Sequence, residues 1–179
     1  MPVSLTLGVT TESSMPTRNQ LLSLLLWYLI FAWGIWLGGT LYQMLVVVPM
    51  WSEAPPESLR NFLSGTSYNR TVYHFFGPPF IAARAIPTVI ALALAWHRPK
   101  HRVLLAIAVV CLTAVVIFTL FYIYPINSVL FDQGGGNLSP SEISSLVRTW
   151  IWSDRIRLSV GALAFVAILK AFRLPLRDD

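Results

Sequence analysis

Among the charged residues in or beside the apolar stretches of this chain, three are where any chemistry has to start. Arg84 interrupts the run from Gly77 to Trp96, while Asp154 and Arg157 stand at the head of the run from Leu158 to Phe172. Charges inside a membrane are costly and usually face the interior of a bundle. Asp154 and Arg157 are spaced i, i+3, which puts them on one helix face, and Trp150 stands one turn before Asp154 on that face. Arg84 lies 14 residues before Arg98, and Arg157 lies 13 before Lys170. At helical rise these are about 21 and about 20 Å, so the two guanidiniums are expected at similar height, with Asp154 within reach of both. Such a cluster can line a polar cavity that takes a small anion. It can equally be an ion pair that only fixes helix register, or side chains that snorkel to the headgroups.

Other polar groups fall at the same height or above. Tyr42 and Gln43 come late in the first apolar run, Tyr124 and Asn127 late in the third, and His74 just before Pro78-Pro79. The expected ligand site therefore comprises Tyr42, Gln43, His74, Arg84, Asn127, Trp150, Asp154 and Arg157, polar at its rim and apolar below. Trp51, Trp150 and Trp152 read equally well as an interfacial aromatic belt. His97 and His101 have the i, i+4 spacing of a helical metal pair, but Pro99 lies between them and no carboxylate is near. No metal site is expected. Haem is disfavoured because His74 has no partner histidine. Cys111, the single cysteine, reads as a small packing residue and excludes a disulfide framework. Gly34-x-x-x-Gly38 allows close helix packing within the bundle or in a homo-oligomer.

The elements that must position these residues are membrane spans. Of 179 residues, 55% are apolar and only 12% charged, and the mean hydropathy is +0.63. Soluble domains carry about 25% charged residues, and disorder requires low hydrophobicity. The net charge of +5 forms no basic–aromatic stripe, so nucleic acid is not an expected partner. Asn19–Ser52 and Val103–Phe131 lack any formal charge, and each exceeds the roughly 20 residues a span needs. With the two weaker runs they predict an all-α, four-helix membrane bundle over residues 19–176, with helices at about 20–50, 77–97, 102–125 and 140–173. Residues 1–18 read as a polar leader, followed by a run too long for a cleavable signal peptide. Ser139-Pro140-Ser141-Glu142 reads as a capping box, and Gly134-Gly135-Gly136 as a flexible break. With both termini cytoplasmic, the inside receives seven basic residues and the outside five, a modest positive-inside bias. A bacterial cytoplasmic membrane is the expected location, and membrane lipids and a lipophilic small molecule are the expected partners.

Four short motifs carry a resemblance: Gly38-Gly39-x-x-Tyr42, Val48-Pro49-Met50-Trp51, Tyr124-Pro125-Ile126-Asn127 and Trp150-x-x-x-Asp154-x-x-Arg157. Together they resemble the four-span membrane family that includes the fungal anthrone (noranthrone) oxygenases, much of which is bacterial and without assigned function. The family pattern on the last helix is Trp, then His or Asn one turn on, then Arg. Trp150 and Arg157 fit it, and Asp154 departs. The resemblance implies oxidation of a phenolic anthrone without metal or flavin, which requires a base to form a carbanion and a dry pocket for its reaction with dioxygen. On that reading Asp154, Arg157, Asn127 and His74 are the catalytic candidates, with Tyr42, Gln43, Arg84 and Trp150 binding substrate. Asp154 is either the base or only an ion-pair partner. The alternative is a non-enzymatic membrane protein that binds or transports a small lipophilic anion, or serves as a subunit of a larger assembly.

Overall fold

The computed structural model describes residues 17–65 and 76–176, and every element among them is helical. Four long helices, α1 (Arg18–Ser52), α3 (Pro78–Leu94), α4 (Pro99–Asp132) and α5 (Pro140–Arg173), are joined by a short one, α2 (Glu57–Gly65). Around the ring, α1 packs on α3 and α5, and α4 packs on α3 and α5.

A heptad-like stripe of buried residues explains this packing. On α5 they are Ile143, Val147, Trp150, Asp154, Arg157, Gly161, Ala164, Ile168 and Ala171, alternating steps of four and three. α1 repeats the pattern through Leu22, Leu26, Leu29, Trp33, Trp36, Thr40 and Gln43, and α4 from His101 through Leu105, Ala108, Leu112, Val115 and Thr119. A mean period of 3.5 residues places one narrow seam against neighbouring helices, which then pack knobs-into-holes.

Proline shapes the two longest helices in the same way. In α1 a five-residue π turn, Gln43–Val47, ends two residues before Pro49; in α4 another, Thr119–Ile123, ends two residues before Pro125. Proline offers no N–H and crowds the carbonyl four residues back. A wider turn there relieves the crowding and rotates the following residues, bringing Val48 and Trp51 onto the buried side of α1. A further π turn, Ser128–Asp132, carries α4 beyond its expected end near residue 125. Pro87 interrupts α3 and frees the carbonyl of Ala83, which accepts instead from the Tyr28 hydroxyl of α1 at 3.0 Å.

The helix ends are tied down. Ser139 and Glu142 form the expected capping box, and Thr17 and Gln20 form another on α1. At the basic end, Arg18 donates to the Leu94 carbonyl at 2.8 Å, Arg98 to Asn19 at 2.7 Å and Asn19 to the Leu176 carbonyl at 3.0 Å. The glycine run is a closed turn rather than a flexible break. Gly134, Gly135 and Gly136 all have positive φ, and a Cβ on Gly135 would lie 2.6 Å from Ile143 Cδ1.

Two apolar cores result. One joins the Leu22–Trp36 stretch of α1 to α3, α4 and the last turns of α5; the other gathers Val48, Trp51, Leu59, Ile123, Phe131, Ile143 and Trp150. The outer sides of the long helices are apolar as well, with Phe31, Leu45, Ile86, Val110, Phe121 and Leu163 all exposed. α1 and α4 are long and apolar enough to cross a membrane, and α3 is a shorter apolar helix.

Candidate functional site

Between the two cores, all four long helices place polar residues on their buried stripes. Thr40 and Gln43 come from α1, Arg84 and Thr88 from α3, Thr119 from α4, and Ser153, Asp154 and Arg157 from α5. The hydroxyls are satisfied locally. Thr40, Thr88, Thr119 and Ser153 each donate to the carbonyl four residues back, at 2.6–2.8 Å. The ionic groups are not. Asp154 Oδ1 is paired with Arg157 Nη2, whereas Asp154 Oδ2, Arg157 Nε and Arg84 Nη1 are buried with no hydrogen-bond partner among the described residues.

Arg84 is held by rings instead of a carboxylate. Its guanidinium carbon lies 4.7 Å from the Trp36 ring centroid, 5.1 Å from Trp33 and 5.4 Å from Phe80. Trp33 and Trp36 meet edge to face at 5.8 Å. Desolvated cation–π contacts are worth about 2 kcal/mol each, which helps a charge persist at 2% exposure. The expected sharing of Asp154 between both arginines is thus corrected, since the carboxylate serves Arg157 and indole faces serve Arg84. Trp36 also links the two sides, because its ring lies where a Cβ on Gly161 would be, 2.1 Å from Cζ3. Gly161 follows Arg157 by one turn, so the missing side chain lets α1 and α5 close around the cluster. Arg157 in turn lies 5.9 Å from the Phe76 ring centroid.

One turn further along α5, Trp150 donates from Nε1 to Asn127 Oδ1 at 2.6 Å and meets Trp51 edge to face at 5.1 Å. Trp51 and Trp150 are buried core residues and do not form a surface belt. Trp152 does face outward, with Arg155 over its ring at 5.2 Å.

The eight residues expected from sequence divide as follows. Gln43, Arg84, Asp154 and Arg157 share the polar layer, and Trp150 with Asn127 roofs it. Tyr42 turns outward at 61% exposure and does not join them, because the seam of α1 passes through Thr40 and Gln43 on another side of the helix. His74 lies outside the described residues. His97 is exposed while His101 is buried, so the two do not form a pair. Trp33, Trp36 and Gly161 were missed, although they stand in heptad phase with the polar residues of their own helices.

Fold and site thus define an all-α protein with a buried ionic layer enclosed by aromatic rings. A family model described as anthrone oxygenase matches residues 66–167, more than half of the chain, which therefore belongs to the anthrone oxygenase family. The matched region includes Arg84, Asn127, Trp150, Asp154 and Arg157 but none of α1. No curated protein and no solved structure matches the chain.

Proposed function

We propose that the chain is an integral membrane oxidoreductase of the anthrone oxygenase type, acting at the polar layer on a lipophilic phenolic or quinone-like compound. The observation that carries the reading is the buried cluster of Arg84, Asp154 and Arg157, whose polar atoms are incompletely satisfied. An unsatisfied buried polar atom costs about 1–3 kcal/mol, and functional sites are where such costs are characteristically retained. Family membership supports the reaction class.

Membrane placement is supported by the outer surface. Only 33% of the apolar stretch of α1, and the same share of that of α4, is buried, which is too little for core helices of a water-soluble globule. Contiguous apolar surface on this scale is stable in lipid and unfavourable in water. On this reading both termini lie in the cytoplasm, on the side of Arg18, Arg98, Lys100, Arg102, Lys170 and Arg173, which leaves the polar layer nearer the opposite face.

For an anthrone the reaction balances without an added reductant. The ring methylene loses two hydrogens, one atom of dioxygen becomes the new carbonyl oxygen, and the other leaves as water. The protein's part is to stabilise the enolate formed on deprotonation, for which Arg84 and Arg157 are placed, and to keep bulk water out. Asp154 is the proton acceptor only if its free oxygen reaches substrate; otherwise it orients Arg157. Protein purified in mild detergent should convert reduced anthrones to quinones under air faster than empty micelles do. Absence of conversion across a panel of anthrones and hydroquinones would leave the non-enzymatic binder or transporter as the better reading.

A further inference from the structure

We infer that the polar layer binds its ligand as a monoanion and ionises a phenol on binding, the phenolic proton being released to the buffer as the ligand enters. The inference rests on the proposed location of the site and deepens it. Within the cluster the described charges do not cancel, because Arg84 and Arg157 contribute two cations and Asp154 one anion. All three are at least nine-tenths buried, so solvent screens the surplus poorly. Arg157 has its carboxylate. Arg84 has the faces of Trp33, Trp36 and Phe80 and a hydrogen bond from Nε to the Phe80 carbonyl at 3.4 Å, which soften the charge without neutralising it. Among the described residues, no other acidic side chain is buried. Of the two guanidiniums of the cluster, Arg84 Nη1 and Arg157 Nε are buried donors left over, and a single oxyanion supplies both the missing charge and an acceptor.

Two guanidiniums held before the ligand arrives should lower the acidity constant exponent of a bound phenol. An opposite charge within about 4–6 Å moves a titrating group by about 1–3 pH units, so the ratio of ionised to neutral phenol should rise at least about tenfold. Detergent or lipid alone pulls the other way, since an apolar phase favours the neutral phenol.

The test uses a nitrophenol, whose neutral and ionised forms absorb at different wavelengths, titrated into the purified full chain against empty micelles. At a pH about one unit below its solution midpoint, the probe bound to wild-type protein should absorb as phenolate and quench tryptophan fluorescence. Arg84→Lys, which keeps the charge, should retain the phenolate spectrum, and Arg84→Met should lose it. Bound probe that absorbs as neutral phenol in wild-type protein would overturn the inference, as would no binding, or phenolate absorption unchanged in a folded Arg84→Met protein. If Arg84→Met does not fold, the wild-type spectrum alone decides. Phenolate binding without any anthrone turnover would leave this inference standing and count against the oxygenase reading. Turnover with a neutral bound probe would do the reverse.

Discussion

The ionic cluster is where single side chains weigh most. Removing one member of a buried ion pair strands the other, at a cost of about 3–5 kcal/mol. Asp154→Asn should therefore destabilise the solubilised protein strongly, and adding Arg157→Gln should restore part of the loss. Additive losses in that double-mutant cycle, followed by thermal unfolding, would contradict direct pairing. Gly161→Ala tests the contact between α1 and α5. Its Cβ would overlap Trp36, so the variant should move the ring off Arg84 and change tryptophan fluorescence even where the fold survives. An unchanged emission spectrum would show that the ring has room to spare. At this scale the sequence was legible for charge and spacing. Arg84, Asp154 and Arg157 were recognisable because a charge in an apolar run needs a reason. The cage of Trp33 and Trp36 was not, since an indole in an apolar helix looks like any other packing residue until its heptad phase is read.

Individual helices owe their ends and bends to a few residues. At the head of α5, the Ser139 hydroxyl and then the Ser139 backbone N–H donate to the Glu142 carboxylate at 2.7 and 2.8 Å, holding its pKa below the ordinary glutamate value. A carboxyl lowered in the folded state stabilises above its unfolded pKa, and that contribution is lost as pH falls through the lower, folded value. Ser139→Ala should raise the Glu142 midpoint toward that of a free glutamate, as read by NMR titration; an unmoved midpoint would mean that the hydroxyl does not hold the carboxylate. Gly135→Ala combines φ of 88° with a clash against Ile143, and left-handed backbone costs a side-chain-bearing residue about 1–2 kcal/mol. A measurably lower unfolding temperature is expected. The capping box was readable from four residues because its partners are local. The π turns were not, since they answer a steric conflict at Pro49 and Pro125 that an apolar run does not reveal. Tyr42 was misplaced for a related reason: counting residues along α1 gave its height but not the side of the helix it occupies.

The ring of helices sets one polar layer between two apolar cores and turns apolar side chains outward. That distribution suits a bilayer, and the proposed orientation puts the basic end in the cytoplasm. Cysteines placed at Ser64 and Asn137, both exposed at the opposite end, should be labelled from outside intact cells; protection of both would reverse the orientation. The all-α class was legible from apolar runs alone, whereas the closing of the layer by all four helices depended on seams that composition does not disclose. The central claim is that this layer carries out an oxygenase reaction. Its most direct test is oxygen uptake with a reduced anthrone, compared between equal amounts of folded wild-type and Arg157→Ala protein. The account predicts one dioxygen consumed per quinone formed and a rate about a hundredfold lower in the variant, as expected when a preorganised donor to a developing oxyanion is removed. Equal rates in the two proteins, or a wild-type rate no higher than that of empty micelles, would contradict it.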